Sequence, residues 1–155
     1  MRILDYLSVR AVKAPLASRN KEEVVEELID LLIQEGQIAD KKVFLEAVRK
    51  REQTVSTAIG EGVAIPHAKV EGIASPCIAV GLCPEGMFCD APDSKPVTII
   101  FLLASSPRDA GMQLKILAAL SRYIKAPGLL AGLAASQTPQ EVFNVFQRFE
   151  EVVRL

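Results

Sequence analysis

The sequence predicts an α/β fold in which a mixed β-sheet is sandwiched between helices, about five in number. Two short apolar runs, at 76–83 and 96–104, are rich in β-branched residues and bounded by proline, which is typical of strands. Segments whose apolar residues recur at helical spacing lie before and after these runs. The order of helices, strands and helices, without an internal repeat, favours a sheet covered on both faces.

The first 36 residues predict a turn of helix, an edge strand and one long helix. The turn and the strand fall within residues 2–19. Asn20 and Glu23 form an N-cap pair before a run of apolar residues at helical spacing, and Gly36 ends that helix.

A second helix is predicted to begin at Asp40, which can cap it, and to end at Arg51 and Glu52. Its expected inward face consists of Val43, Phe44, Ala47 and Val48.

The run at 96–104 is almost continuously hydrophobic, so it predicts a central strand buried on both faces. Residues 84–95, punctuated by Gly86 and Pro92, predict a turn and a short edge hairpin between the two strands.

The C-terminal third predicts three helices. Pro107 begins one that runs to about Lys125, residues 127–135 form a short one, and a capping box at Thr138 starts the last. Gln113 lies four residues before Leu117, on the apolar side of its helix. A buried amide needs partners, so Gln113 is either a structural group or part of a site. The last helix has an apolar face expected to pack on the sheet, made of Val142, Phe143, Val145, Phe146, Phe149, Val152 and Val153.

Composition limits the classes of protein. With 155 residues, half of them hydrophobic, the chain fits one domain spanning 1–155. Eighteen basic and 19 acidic residues leave no excess charge for a nucleic-acid-binding face. No apolar run approaches the roughly 20 residues that span a bilayer, and the N-terminus lacks a signal-peptide pattern. We therefore expect a cytoplasmic protein without direct membrane insertion.

The three cysteines, Cys77, Cys83 and Cys89, are odd in number and lack the spacing of a zinc site or a disulfide framework. We interpret them as small buried hydrophobic residues. With a single histidine in the chain, neither a metal site nor a cofactor is expected.

That histidine, His67, follows a glycine-flanked turn at 60–62, a short apolar run and Pro66. A neutral imidazole is a good nitrogen nucleophile, with an ordinary pKa of about 6.5. His67 alone could equally be a hydrogen-bonded structural residue, but the proline-stiffened stem favours a reactive one.

The stretch from Glu52 through Ile59-Gly60 to the sequence VAIPHA at 63–68 resembles the phosphohistidine signature of type 2 IIA proteins. These form the fructose, mannitol and nitrogen-regulatory branch of the bacterial phosphoenolpyruvate-dependent phosphotransferase system. The resemblance extends over almost the whole chain, from ILDYL at 3–7 to the final amphipathic stretch, and implies the type 2 IIA fold.

The resemblance implies a phosphocarrier, which is a phosphotransferase with a phosphohistidine intermediate. His67 would accept a phosphoryl group from an HPr-like protein and pass it to a IIB component, or use its phosphorylation state to control a regulatory target protein. Arg51, sixteen residues before the histidine, occupies the place of an arginine thought to steady the phosphoryl group. Thr57, Gly60 and Gly62 could supply hydroxyl and backbone N–H donors.

Two positions depart from the family pattern. Gln113 stands where members commonly carry a second histidine, and Thr57-Ala58 replaces the more usual Thr-Gly. Glutamine can donate a hydrogen bond but cannot become cationic. Two functions therefore stay open: an active phosphocarrier, in sugar uptake or nitrogen-type regulation, and a non-catalytic IIA-like module that binds a target protein.

Overall fold

The computed structural model describes residues 2–54, 56–87 and 91–153, with Val152 given by its backbone alone. Within these ranges lie six strands and five helices, and short 3₁₀ turns at Ile3–Asp5 and Pro107–Asp109. The strands are β1 (Leu7–Lys13), β2 (Ala58–Gly60), β3 (Val63–Ala64), β4 (His67–Lys69), β5 (Cys77–Met87) and β6 (Val97–Ser105). The helices are α1 (Lys21–Gln34), α2 (Lys41–Thr54), α3 (Ala110–Lys125), α4 (Leu129–Ala135) and α5 (Pro139–Val153). The predicted α/β class with five helices is confirmed.

The sheet is mixed, with the strand order β1-β5-β6-β3-β2 and with β4 also paired to β6. β5 runs antiparallel to β6 and parallel to β1, while β3 and β4 both run parallel to β6. Every residue from Ile99 to Ser105 is buried, as the unbroken hydrophobicity of this run predicted. β6 is therefore the strand against which β4, with its histidine, is placed.

Helices pack on the sheet and on one another. α1 packs on β1 and β5, and α2 packs on α1 and β4. α5 contacts β1, while α3 and α4 contact β6. The aromatic centre of the core lies between β6, α3 and α5, where the Phe146 ring meets Phe101 and Tyr123 edge-on, at centroid distances of 6.0 and 5.7 Å.

Capping bonds confirm three of the predicted helix starts, whereas the helix predicted to begin at Pro107 begins at Ala110, after a 3₁₀ turn. Asn20 Oδ1 accepts from the backbone N–H of Glu23 at 2.9 Å, and Asp40 Oδ1 accepts from that of Val43 at 3.1 Å. Thr138 Oγ1 accepts from the backbone N–H of Glu141 at 3.2 Å. Each bond satisfies one of the N–H groups that a helix leaves without an internal partner.

The predicted inward face of α2 is partly wrong. Val43 is 48% exposed, and Leu45 is buried together with Phe44 and Val48. Because α2 packs on both α1 and β4, its buried stripe includes the adjacent pair 44 and 45 rather than 43 and 44. The helix also continues to Thr54, two residues beyond its predicted end.

The separate edge hairpin predicted over 84–95 is also wrong in its first part. β5 continues to Met87, which pairs with Val97 of β6. The pairing register shifts between Leu82 and Met87, so Pro84 sits where the regular ladder is interrupted and its missing N–H is tolerated. Residues 88–90 of that segment lie outside the described residues.

Cys77 and Cys83 are buried and free of disulfides, as predicted. Burial raises the pKa of the Cys77 thiol to about 12, so it stays protonated and packs as a small hydrophobic group. Cys89 lies outside the described residues.

In the part of the chain described, no single helix is long and apolar enough to cross a membrane. The adjoining segments Pro107–Lys125 and Leu129–Ala135 satisfy length and composition only when taken together, with a bend of 82° between them.

Gly81 offers a test of the packing between β5 and the segment that follows β1. A Cβ at this position would lie 2.8 Å from the Leu16 methyl groups, and Leu16 is buried with its N–H bonded to the Leu82 carbonyl at 2.8 Å. Gly81→Ala should therefore lower the free energy of unfolding by about 1–3 kcal/mol. Urea denaturation measures this change.

The matched control is Gly111→Ala in α3, where an added Cβ meets nothing within 4 Å. This substitution, in the first turn of α3, should raise the free energy of unfolding by up to about 1 kcal/mol. Equal effects of the two substitutions would contradict the packing at Gly81.

Candidate functional site

His67 is the first residue of β4 and lies beside Leu103 of β6. Its side chain is half-buried, and its Nδ1 lies 2.7 Å from the Ile65 carbonyl oxygen. A carbonyl can only accept, so Nδ1 must carry the hydrogen and donate it. The lone pair of the neutral ring therefore belongs to Nε2.

The backbone on both sides of the histidine is fixed to β6. The Pro66 carbonyl accepts from the Leu103 N–H at 3.0 Å, and the Val70 N–H donates to the Ser105 carbonyl at 2.8 Å. Pro66 also has a restricted φ. The imidazole is thus presented from a stem that cannot pivot freely, which agrees with the stiffness expected from the sequence.

The pKa of His67 lies below its ordinary value of 6.5. Burial is the largest cause, and the nearby positive charges of Arg51 and Lys69 act in the same direction. The hydrogen bond to the Ile65 carbonyl and the negative charge of Glu52 oppose this shift. The uncharged imidazole is therefore the form present at neutral pH.

Arg51 is brought to the histidine by the packing of α2 against β4. It lies in the last turn of α2, half-buried, and its charge acts on the imidazole. Residues 51 and 67 are sixteen positions apart, and the packing of this helix end brings the charge of the guanidinium within range of the imidazole.

Thr57 lies beside the site, but its hydroxyl already donates a hydrogen bond to another residue. Its carbonyl accepts from the Ile65 N–H at 3.0 Å, and its hydroxyl donates to Glu52 Oε1. Thr57 is buried. The geometry favours a supporting position for Thr57 over the direct phosphoryl contact expected from the sequence.

Gly60 and Gly62 lie at the other end of the sheet from the imidazole. The Gly62 carbonyl accepts from the N–H groups of Thr98 and Ile99 at 2.8 and 3.0 Å, whereas His67 pairs with Leu103. At about 3.3 Å per residue, that difference in register amounts to about 15 Å. The predicted contact of these two glycines with a phosphoryl group on His67 is therefore not supported.

The conformation of the turn explains these glycines instead. Gly60, Glu61 and Gly62 have φ values of 90°, 58° and 75°, a region that glycine adopts without strain.

Gln113 is buried, and its Oε1 accepts from the Ser105 hydroxyl at 2.5 Å. Ser105 pairs with Lys69, so its side chain leaves the sheet on the same face as that of His67, with the two Cα atoms about 8 Å apart. Because Oε1 is held by Ser105, the amide N–H groups are the donors that Gln113 can offer toward this face.

Three residues that support the site carried no functional prediction. Glu52 bonds Thr57, Lys21 bonds Glu52 with Nζ to Oε2 at 2.5 Å, and Ser105 holds Gln113. Glu52 opens the stretch that resembles the family signature, which is the only signal the sequence offered. Nothing in the linear sequence pairs Lys21 with a residue 31 positions away.

Comparisons with known proteins place this geometry in a family. Residues 5–149 match the family model described as phosphoenolpyruvate-dependent sugar phosphotransferase system, EIIA 2. The chain is 32% identical over 131 residues to the fructose-specific EIIA component of Haloferax volcanii, covering 84% of this chain and 85% of that protein. It is 28% identical over 151 residues to the fructose-specific EIIABC component of Bacillus subtilis, covering 97% of this chain but 24% of that protein.

Among solved structures, the fold is similar to that of the nitrogen regulatory protein IIA-Ntr from Neisseria meningitidis. The TM-score is 0.83 at 27% sequence identity, over 92% of this chain and 97% of that one. The type 2 IIA fold expected from the resemblance is confirmed. Because the family model covers nearly all of the sequence, the chain belongs to the type 2 EIIA family of the phosphoenolpyruvate-dependent sugar phosphotransferase system.

Proposed function

We propose that this protein is a cytoplasmic phosphocarrier in which His67 Nε2 accepts a phosphoryl group from an HPr-like protein. His67 then passes the group to a IIB component, or its phosphorylation state controls a regulatory target protein. The proposal rests above all on the 2.7 Å contact between Nδ1 and the Ile65 carbonyl, because it leaves the Nε2 lone pair available.

The step is a transfer between two nitrogens. The Nε2 lone pair of His67 forms the new N–P bond while the N–P bond of the carrier's phosphohistidine breaks. The carrier's nitrogen leaves with the electron pair of that bond, and its ring, protonated on the other nitrogen, returns to neutral imidazole. His67 keeps its Nδ1 hydrogen throughout, and the Ile65 carbonyl stabilises the positive charge that its ring acquires.

Arg51 supplies the cation that this chemistry needs. The equatorial oxygens of a transferring phosphoryl group carry negative charge, and positioning with electrostatic stabilisation is most of what a protein contributes. At about 4 Å and an effective dielectric constant of 20, a unit charge pair is worth roughly 4 kcal/mol before desolvation. The same cation favours the neutral imidazole before transfer.

Gln113 is the second polar group offered to the phosphoryl oxygens. Its amide can donate a hydrogen bond but can neither hold a positive charge nor move a proton. The attacking nitrogen belongs to His67, so glutamine in place of the family's usual histidine changes the rate of transfer and does not abolish it.

A second candidate function is a non-catalytic IIA-like module that binds a target protein. The observation in its favour is Gln113 in place of the family's usual second histidine. The similar proteins include both a fructose-specific component and a nitrogen regulatory protein, so both the sugar and the regulatory branches stay within the proposal.

Labelling tests the relay directly. Incubation with phosphoenolpyruvate and the general carrier proteins should place an acid-labile, alkali-stable phosphoryl group on the parent protein, because it forms an N–P bond. His67→Ala should take up none, since the chain has no other histidine. Absence of label on the parent, with the HPr-like carrier itself labelled in the same reaction, would support the binding module instead.

The imidazole should titrate below its ordinary pKa of 6.5, because burial and two cations disfavour its charged form. As the pH falls, the unfolded chain then binds this proton before the folded chain does. The contribution of His67 should therefore lower the free energy of unfolding below about pH 6.5 and leave it unchanged above that pH. NMR of the ring C–H protons gives the midpoint directly, since this is the only histidine.

Arg51→Gln should raise that midpoint, because it removes a positive charge that acts on the ring. Arg49→Gln is the matched control in the same helix, since Arg49 bonds Glu22 and is not among the charges that act on His67. A parent midpoint at or above 6.5, or equal midpoints in both variants, would contradict this electrostatic arrangement.

Replacing Gln113 measures what the second polar position contributes. Gln113→His should change the phosphorylation rate by about tenfold or less, because it alters one donor and leaves the attacking nitrogen intact. Rapid-quench phosphorylation of the parent and the variant provides the comparison. A parent that stays unphosphorylated while the variant accepts phosphate would overturn the tuning role.

A further inference from the structure

The Glu52 carboxylate, at the C-terminal end of α2, joins the start of α1 to the loop before β2. Its Oε2 accepts from Lys21 Nζ at 2.5 Å and from the Thr57 backbone N–H at 3.4 Å. Its Oε1 accepts from the Thr57 hydroxyl. One carboxylate therefore holds both the backbone and the side chain of Thr57.

Two further hydrogen bonds lead from Thr57 to the imidazole. The Thr57 carbonyl accepts from the Ile65 N–H at 3.0 Å, and the Ile65 carbonyl accepts from His67 Nδ1 at 2.7 Å. The path crosses from the residue before β2 to the segment between β3 and β4. A shift of Thr57 would move the very carbonyl that fixes the tautomer of the ring.

The ion pair that anchors this path is shielded from solvent. The Lys21 and Glu52 side chains are 25% and 19% exposed, whereas Arg49 and Glu22, which form an ion pair across the same two helices, are 44% and 55% exposed. Shielded, charge-assisted hydrogen bonds hold their geometry better than exposed ion pairs, which contribute little. This contrast separates Glu52 from the ordinary surface charges of α1 and α2.

We propose that Glu52 is a positioning residue for phosphoryl transfer: it holds Thr57, and through Thr57 and the Ile65 carbonyl it fixes the His67 ring with its hydrogen on Nδ1. Lys21 in turn holds the carboxylate, so the start of α1 belongs to the support of the site. The effect of Glu52 on the transfer rate rests on the proposed relay. The effect of Glu52 on the His67 tautomer is independent of any phosphorylation.

Substitutions at Glu52 can be made without steric conflict. A cavity of about 400 Å³ between α1 and α2 is bordered by Lys21, Val25, Val48 and Glu52. Glu52→Gln keeps one oxygen that can accept from the Thr57 hydroxyl but loses the negative charge that pairs with Lys21. Glu52→Ala removes both side-chain acceptors. Glu22→Gln removes an equal charge from the same helix pair and touches neither Thr57 nor the histidine path, so it is the matched control.

The first measurement is the tautomer, read from the ¹⁵N chemical shifts of the two ring nitrogens above the imidazole midpoint. The parent and Glu22→Gln should show hydrogen on Nδ1 and a lone pair on Nε2. Glu52→Ala should show a mixture of both tautomers, and Glu52→Gln an intermediate state. A merely structural role for Glu52 would change the stability of the protein and leave these shifts at parent values.

The second measurement is the transfer rate constant at saturating phosphorylated HPr-like carrier. It should fall about tenfold to a hundredfold in Glu52→Ala, since displaced reacting groups cost rate in this range, with the KM for the carrier within about twofold of the parent. Glu52→Gln should recover part of the loss. If Glu52→Ala does not fold, Thr57→Val removes only the hydroxyl end of the contact and should shift both readouts in the same direction.

The outcomes separate the two proposals. Parent-like ¹⁵N shifts and rates in both Glu52→Ala and Thr57→Val overturn the positioning role while leaving the relay intact. A parent that accepts no phosphoryl group, but whose tautomer is disturbed by Glu52→Ala, contradicts the relay and the kinetic effect of Glu52, while it supports the control of the tautomer by Glu52.

Discussion

The bond from His67 Nδ1 to the Ile65 carbonyl is the interaction on which the site depends. At 2.7 Å it decides which nitrogen keeps a lone pair, and it does so with a backbone group, which cannot change its protonation. Burial and the neighbouring cations then hold the ring uncharged. In the proposed relay His67 therefore needs no catalytic base, because its hydrogen already lies on the other nitrogen.

The position of that hydrogen bond depends on the strands that surround it. β4 is a three-residue strand, too short to be stable alone, and it is positioned by pairing with β6, which is buried from Ile99 to Ser105. The same strand ends at Ser105, which anchors Gln113 of α3, while α2 packs on β4 and brings Arg51. One central strand therefore sets the relation between groups from three distant parts of the sequence.

Local signals were enough to predict most of the fold and the central histidine. Capping residues such as Asn20 and Asp40 act within three positions of themselves, and the apolar run of β6 needs no partner to be recognised. The residues that surround the histidine were harder to predict from the sequence. Thr57, Gly60 and Gly62 are close in sequence to His67, but strand register places only Thr57 near it. The Lys21–Glu52 pair depends on how two helices pack, which no local pattern specifies.

Compared with a histidine at this position, Gln113 cannot carry a positive charge, but it keeps a hydrogen bond to Ser105. The Ser105 hydroxyl donates to Oε1 of Gln113, and it could equally donate to an unprotonated ring nitrogen of a histidine. The other polar group is an N–H donor in both residues. They differ because a histidine ring can take up a second proton and become cationic, whereas the glutamine amide stays neutral. With Gln113 in place of a second histidine, His67 is the only side chain of the sequence whose ordinary pKa lies near neutrality. In the proposed relay, proton-linked control of transfer would then act through the tautomer and pKa of that single ring, on which the Ile65 carbonyl, Arg51 and Glu52 all act.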